Sequence, residues 1–192
     1  MANFVESYNI TLGHEGGYVN DLDDAGGETF KGISRKFNPT WAGWRLIDVY
    51  KMHEGFPHNI IKYDYDLDEA VKTFYKRNYW DVNKLDDCPS QPVANEMFDT
   101  GVNMGTSRAG RYLQKALNLL NKNGTIYPDI SVDGKVGSGT LSALKKCVEY
   151  RGDEYLYKIL NIFQGYHYIT YMTSSPVQEK YAYGWLKRVD FI

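Results

Sequence analysis

Two Gly-Gly pairs, Gly16-Gly17 and Gly26-Gly27, frame the segment that most limits what this chain can fold into. Ahead of them Phe4, Val5, Tyr8 and Leu12 recur with a helical period and deliver one glutamate, Glu15 of His14-Glu15-Gly16-Gly17-Tyr18, to the first break. Between the pairs runs a loop dense in carboxylates, Asn20-Asp21-Leu22-Asp23-Asp24. Beyond the second pair the sequence turns β-prone, and Thr29 to Ser34 reads as a short strand or one arm of a hairpin. A helix that must stop near Glu15, followed by a loop unable to prolong it, leaves room for only a small β excursion.

The rest of the pattern is helical. Residues 35–60 read as irregular, punctuated by Asn38-Pro39 and Phe56-Pro57. From Asp66 onward Leu67, Ala70, Val71, Phe74, Tyr75 and Tyr79 follow helical spacing until Cys88-Pro89-Ser90-Gln91-Pro92 breaks it. A second helix carries Val93, Ala94, Met97, Phe98 and Val102 on one face; Asn103 to Ser107 then reads as a glycine stop and a new start. A third carries Tyr112, Leu113, Ala116, Leu117 and Leu120. The Asp-Gly of Val132-Asp133-Gly134-Lys135-Val136-Gly137 predicts a tight turn between short extended arms, a second β excursion. Helices are expected over 140–148, 153–173 and 176–188. The fold class expected is mainly α with a small β-hairpin, with a seam between residues 1–105 and 106–192.

Composition narrows the function. The chain has 192 residues, 43% of them hydrophobic, which is enough for a core and excludes wholesale disorder. Its formal charge of −2 and the lack of any long basic run argue against a nucleic-acid partner. No apolar run approaches membrane-span length, and the N-terminus carries no basic and apolar export signal. Synthesis in the cytoplasm without a signal peptide is therefore expected. Cys88 and Cys147 stand in no paired motif; they could pair in an oxidising compartment, but buried free thiols are expected, and no metal or organic cofactor is implied. The 17 tyrosines offer flat faces with polar tips, which suit a carbohydrate surface as well as half-buried packing.

A carboxyl at a helix end, followed by more on a Gly-rich turn, is the equipment of glycoside hydrolysis. That reaction needs a proton donor at the leaving oxygen and an anion or activated water on the opposite face of the sugar. Glu15 is the candidate acid, since helix C-terminal carbonyls oppose its ionisation. Asp24 is the leading second carboxylate among Asp21, Asp23 and Asp24, and the Thr29 hydroxyl could hold a catalytic water beside it. Neither the acidic loop nor Asp129-Ile130-Ser131-Val132-Asp133-Gly134 has a calcium-loop ligand pattern.

These residues resemble glycoside hydrolase family 108. Glu15-Gly16-Gly17-Tyr18, the run from Asn20 through Asp24 to Gly26-Gly27 and Thr29, the closing Gly32-Ile33, and Phe98-Asp99 with Val102-Asn103 and Gly105 carry the likeness. Its members are lysozyme-like N-acetylmuramidases of phages and bacteria, some labelled secretion activators. The resemblance implies a lysozyme-like helical catalytic lobe with Glu15 as the acid, and Tyr18, Asp99 and Asn103 as sugar-positioning residues. The second half, through Leu113-Gln114-Lys115-Ala116-Leu117, the Val132–Gly137 run and Gly184-Trp185-Leu186-Lys187-Arg188-Val189, resembles a helical peptidoglycan-binding module.

The function expected is hydrolysis of the β-1,4 bond between N-acetylmuramic acid and N-acetylglucosamine. Peptidoglycan glycan strands would be the partner, reached in the cell wall after release by a holin or a secretion system. Two alternatives stand beside it: a non-catalytic peptidoglycan-binding protein that assists secretion, and a hydrolase of another N-acetylated polysaccharide such as chitin. A near-neutral chain gains no long-range steering toward an anionic wall.

Overall fold

The computed structural model of the chain describes residues 1–12, 17–20, 26–58, 60 and 65–189. Glu15 and Asp24 lie outside the described residues. Contacts divide the chain into two compact units, residues 8–78 and residues 1–7 with 79–192.

In the unit 8–78, a three-stranded antiparallel ribbon runs β1 (Tyr18–Asn20), β2 (Glu28–Phe30), β3 (Ile33–Ser34), in the order β1-β2-β3. The hairpin arm read from Thr29 to Ser34 is thus β2 and β3, turning through Lys31 and Gly32, which adopt φ of 43° and 76°. Gly32 is also sterically required. A Cβ there would stand 2.7 Å from the Tyr75 hydroxyl, which donates to the Lys31 carbonyl.

Residues 35–60 contain a helix that the punctuation concealed, α2 (Gly43–Lys51). Trp44 and Ile47, three apart, are buried on its inner face. Trp41 stacks on Phe30 and meets Trp44 and Phe74 edge-on, while its indole N–H donates to the Ala70 carbonyl. A Cβ at Gly43 would fall 2.3 Å from the Trp41 ring, so glycine there lets the helix start beneath the indole. Helix α3 (Tyr65–Tyr75) buries Leu67, Val71 and Tyr75 and passes into a π-helical turn over Lys76–Trp80.

The other unit is built on α4 (Gln91–Met104), α5 (Thr106–Leu120), α6 (Ser138–Arg151) and α7 (Glu154–Ser174), with α4, α5 and α7 in mutual contact and α6 against α5. Phe4 of α1 (Phe4–Leu12), Trp80 and Phe98 meet edge to face, with Trp80 and Phe98 fully buried. Each such side chain contributes roughly 1.5–3 kcal/mol through burial. Ser90 caps α4 by accepting from the Val93 N–H, and Pro92 occupies its first turn. Gly105, at φ 93°, both ends α4 and starts α5, so the new helix needs no side-chain cap.

The turn at 132–137 is not a second β excursion: among the described residues it joins no ladder. A side chain takes the place of a partner strand. The buried Gln114 amide donates to the Asp133 carboxylate and the Lys135 carbonyl and accepts from the Gly134 N–H, all at 2.8–3.1 Å. Gly110 and Gly134 allow this approach, since a Cβ on Gly110 would stand 2.5 Å from the Gly134 carbonyl oxygen. The expected helix over 176–188 divides into a 3-10 segment, Pro176–Tyr181, and a short α8 (Ala182–Leu186). Both cysteines are free and buried, as expected.

Because the Gly110 contact is with backbone, relief requires α5 to move. Gly110→Ala should lower unfolding free energy by about 1–3 kcal/mol, measured by urea denaturation. An unchanged midpoint would show that the helix and turn can separate without cost.

Candidate functional site

Hydrogen bonds hold one end of each of the two segments that carry Glu15 and Asp24. At one, the Lys31 N–H donates to the carbonyl of Gly17, immediately after Glu15-Gly16, at 3.2 Å. At the other, the Ser34 hydroxyl donates to the carbonyl of Gly26, two residues after Asp24, at 2.7 Å. The segment carrying Glu15 therefore joins α1 to β1, and the one carrying Asp24 joins β1 to β2.

Register places the described candidates. Tyr18 pairs with Phe30, Val19 with Thr29, Asn20 with Glu28, and Thr29 also with Ser34. Side chains alternate along a strand, so Tyr18, Phe30 and Glu28 share one face while Thr29, Val19 and Ser34 share the other. The ribbon sets Tyr18 and Thr29 on adjacent strands, one register position apart, but directs them to opposite faces.

A charge network supports the Tyr18 face. Glu28 accepts from both Lys51 and Arg35, and Arg35 makes a bidentate pair with Asp48 at 2.6 Å on each arm. The guanidinium also lies over the Trp44 ring and the Lys51 ammonium over Tyr18, while Phe56 meets Tyr18 edge-on at 4.5 Å. Hydrogen bonding to Arg35 holds the Asp48 carboxyl below its ordinary value. Burial, aided by Glu28, raises the Tyr18 phenol. The β2–β3 hairpin sets Arg35 opposite Glu28, where the Arg35 N–H donates to the Glu28 carbonyl at 2.8 Å, but nothing in the sequence joins that pair to Asp48 and Lys51, which meet it only when α2 folds back onto the ribbon.

Asp99 and Asn103 lie one turn apart on α4, in the unit 1–7 with 79–192, and are joined by a bond from the Asn103 amide to the Asp99 backbone carbonyl. Their exposure differs. Asp99 is buried and spends one carboxylate oxygen on Arg188 and the other on Gln164, each at 2.7 Å. Asn103 is exposed. Burial raises the Asp99 carboxyl above its ordinary value, outweighing the Arg188 charge and the donors from Gln164 and Asn103 that favour ionisation.

Arg188 belongs to the Gly184–Val189 run of the sequence, and the structure accounts for three of that run's residues. Trp185 is stacked by Tyr168, Tyr171 and Tyr181, Arg188 reaches Asp99, and Val189 packs on Gly165. Sequence reading missed this pairing, whose only signal is a lone arginine beside the motif, 89 residues from Asp99. Among the described residues no group of three His, Cys, Asp or Glu side chains could hold a metal ion, and no helix is long and apolar enough to cross a membrane.

Residues 8–105 match the family described as glycosyl hydrolase 108, and residues 108–190 match the one described as a "Predicted Peptidoglycan domain". The family matches divide the chain near residue 105, whereas contacts group residues 79–105 with the following helices. No curated protein sequence matches the chain. The fold is similar to a solved structure of Brucella abortus SagA, at 23% identity and a TM-score of 0.58, over 97% of this chain and 88% of that one.

The Asp99 shift has a defined sign. A carboxyl whose folded pKa is raised contributes stability that is fully present below its unfolded value, about 3.9, and lost as pH rises through the folded value. The stability of the wild type relative to Asp99→Asn should therefore decline as pH rises from about 3.5 toward neutrality, measured by denaturant titration of both proteins. A difference that grows with pH would show that the Arg188 pair, and not burial, governs the group.

Proposed function

Because the chain belongs to the glycosyl hydrolase 108 family and its second half is a peptidoglycan-binding domain, we propose that it is a muramidase, cutting peptidoglycan between N-acetylmuramic acid and N-acetylglucosamine. The family membership makes it a peptidoglycan-acting glycosidase in kind; the bond cut and the residues that cut it are our reading. The observation that carries this reading is the pinned ribbon. Lys31 and Ser34 hold the Gly17 and Gly26 feet of the segments bearing Glu15 and Asp24.

Glu15 donates its proton to the glycosidic oxygen as the bond to the leaving sugar breaks. Asp24 stabilises the oxocarbenium-like centre or takes a proton from the attacking water, which the Thr29 hydroxyl orients. Tyr18, on the opposite face of the ribbon from Thr29, holds a sugar away from the scissile bond. Asn103, exposed on α4, is a sugar ligand, and Asp99 beneath it acts as a positioning residue through Arg188 and Gln164. The cutting role falls to residues 1–105 and the gripping role to 106–192, where the stacked rings around Trp185 supply aromatic surface suited to sugars.

General acid catalysis is worth about 10²–10⁴-fold. Glu15→Gln should therefore lower reducing-end release from purified sacculi by at least about a hundredfold, with an unchanged thermal melt. Full activity in the variant would remove Glu15 from the mechanism. Binding to sacculi without turnover in either protein would leave a wall-binding protein on a hydrolase frame.

A further inference from the structure

Between the end of α5, the end of α6 and the start of α7 lies a pocket of about 270 Å³. Its apolar lining comes from Leu119, Leu120 and Ile126, and its rim carries Lys122 and Arg151. Both cations converge on one exposed ring. The Lys122 ammonium stands 3.1 Å from the Tyr150 hydroxyl and 5.5 Å from the ring centroid, and the Arg151 guanidinium is also 5.5 Å from that centroid. The hydrogen bond from Lys122, with the charges of Lys122 and Arg151, lowers the Tyr150 phenol from its ordinary value.

The surrounding carboxylates are engaged elsewhere. Glu154 pairs with Lys158 at 2.6 Å, Glu149 lies 3.9 Å from Lys145, and Asp153 accepts from the Ser90 hydroxyl at 2.6 Å. Lys122 and Arg151 form no ion pair among the described residues. Helix α7, 21 residues long, begins beside the pocket: Gly152 and Tyr155 both line it, and no side chain caps the first turn. Its free N–H groups favour a negative charge. The carbonyl end of α6 at Arg151 works against that field, so the two side-chain cations decide the sign.

We propose that this pocket takes the free carboxylate end of a short peptide with small apolar side chains, the chemistry of the stem peptides that hang from peptidoglycan glycan strands. The inference rests on the peptidoglycan reading above and names the part of the polymer that this half of the chain grips. An inorganic or teichoic phosphate would leave the Leu119, Leu120 and Ile126 lining unused. A sugar would bury hydroxyls against a lining with few polar atoms, which is costly. A pocket of 270 Å³ holds one or two small residues, and the cationic rim supplies the charge-assisted hydrogen bonds a terminal carboxylate requires. Lys122 occupies left-handed backbone at φ 53°, as does Asn123 at 56°, in a turn whose Gly124 N–H donates to the Asn121 side chain. That turn fixes where the Lys122 side chain leaves the helix end.

The test uses the whole chain and three probes in calorimetric titrations: L-Ala-γ-D-Glu-L-Lys-D-Ala-D-Ala with a free C-terminus, the same peptide amidated, and chitotetraose. The free peptide should bind the wild type. Amidation, or the double variant K122Q/R151Q with an unchanged melt, should weaken binding at least about tenfold, the worth of one lost charge-assisted hydrogen bond. Equal binding of the two peptides, no binding of the free one, or indifference to the double variant would overturn the proposal.

A pelleting series separates this failure from failure of the wider reading. The double variant should pellet less with intact sacculi than the wild type does, and the two should match on glycan strands stripped of peptide. Undiminished pelleting of the variant with intact sacculi would leave peptidoglycan binding standing and overturn the stem-peptide site. Pelleting with neither material would overturn both.

Discussion

Two hydrogen bonds to glycine carbonyls, Lys31 N–H to Gly17 and Ser34 hydroxyl to Gly26, hold the end of the segment bearing Glu15 and the end of the one bearing Asp24, and the proposed chemistry depends on them. Each is modest, about 0.5–1.5 kcal/mol net. Their effect is geometric: a two-residue turn at Lys31-Gly32 fixes the ribbon, and the ribbon fixes where the segment bearing Glu15 ends and where the one bearing Asp24 begins and ends. The network of Glu28, Arg35, Asp48 and Lys51 then ties α2 to the ribbon's Tyr18 face. Single exposed ion pairs contribute little. A guanidinium shared between two carboxylates and an indole face sets direction as well as attraction.

The other unit solves a related problem with buried polar groups. Gln114 substitutes for a β-partner beneath the Asp133-Gly134 turn, and Asp99 joins α4 to α7 and to the C-terminal Arg188. Both groups are buried and satisfied by directional bonds, so they admit only one arrangement of the elements they join. The Gly110–Gly134 contact works with Gln114, since the amide can reach the turn only if the backbones approach closely.

What could be read from the sequence follows from range. The periodic helices appeared where Leu67, Val71 and Tyr75, or Leu113, Ala116 and Leu117, put burial at helical spacing. The β-hairpin was legible because glycine marks the Lys31-Gly32 turn locally. Helix α2 was hidden because two prolines and a mixed composition masked a single pair of buried residues, Trp44 and Ile47. The 132–137 turn was misread as β because its partner is a side chain about twenty residues upstream, and an Asp-Gly pair looks the same with either partner.

For the site, range again decides. The spacing of Asp99 and Asn103 revealed their shared helix but not that one is buried against Arg188 and the other exposed. The opposite facing of Tyr18 and Thr29 required the register, which the sequence alone left open. Product identity tests the central claim most directly. Sacculi digested by the wild type, reduced with borohydride and analysed by mass spectrometry, should yield fragments ending in muramitol, with none from Glu15→Gln. Fragments ending in glucosaminitol, or equal product from the variant, would contradict a muramidase that works through Glu15.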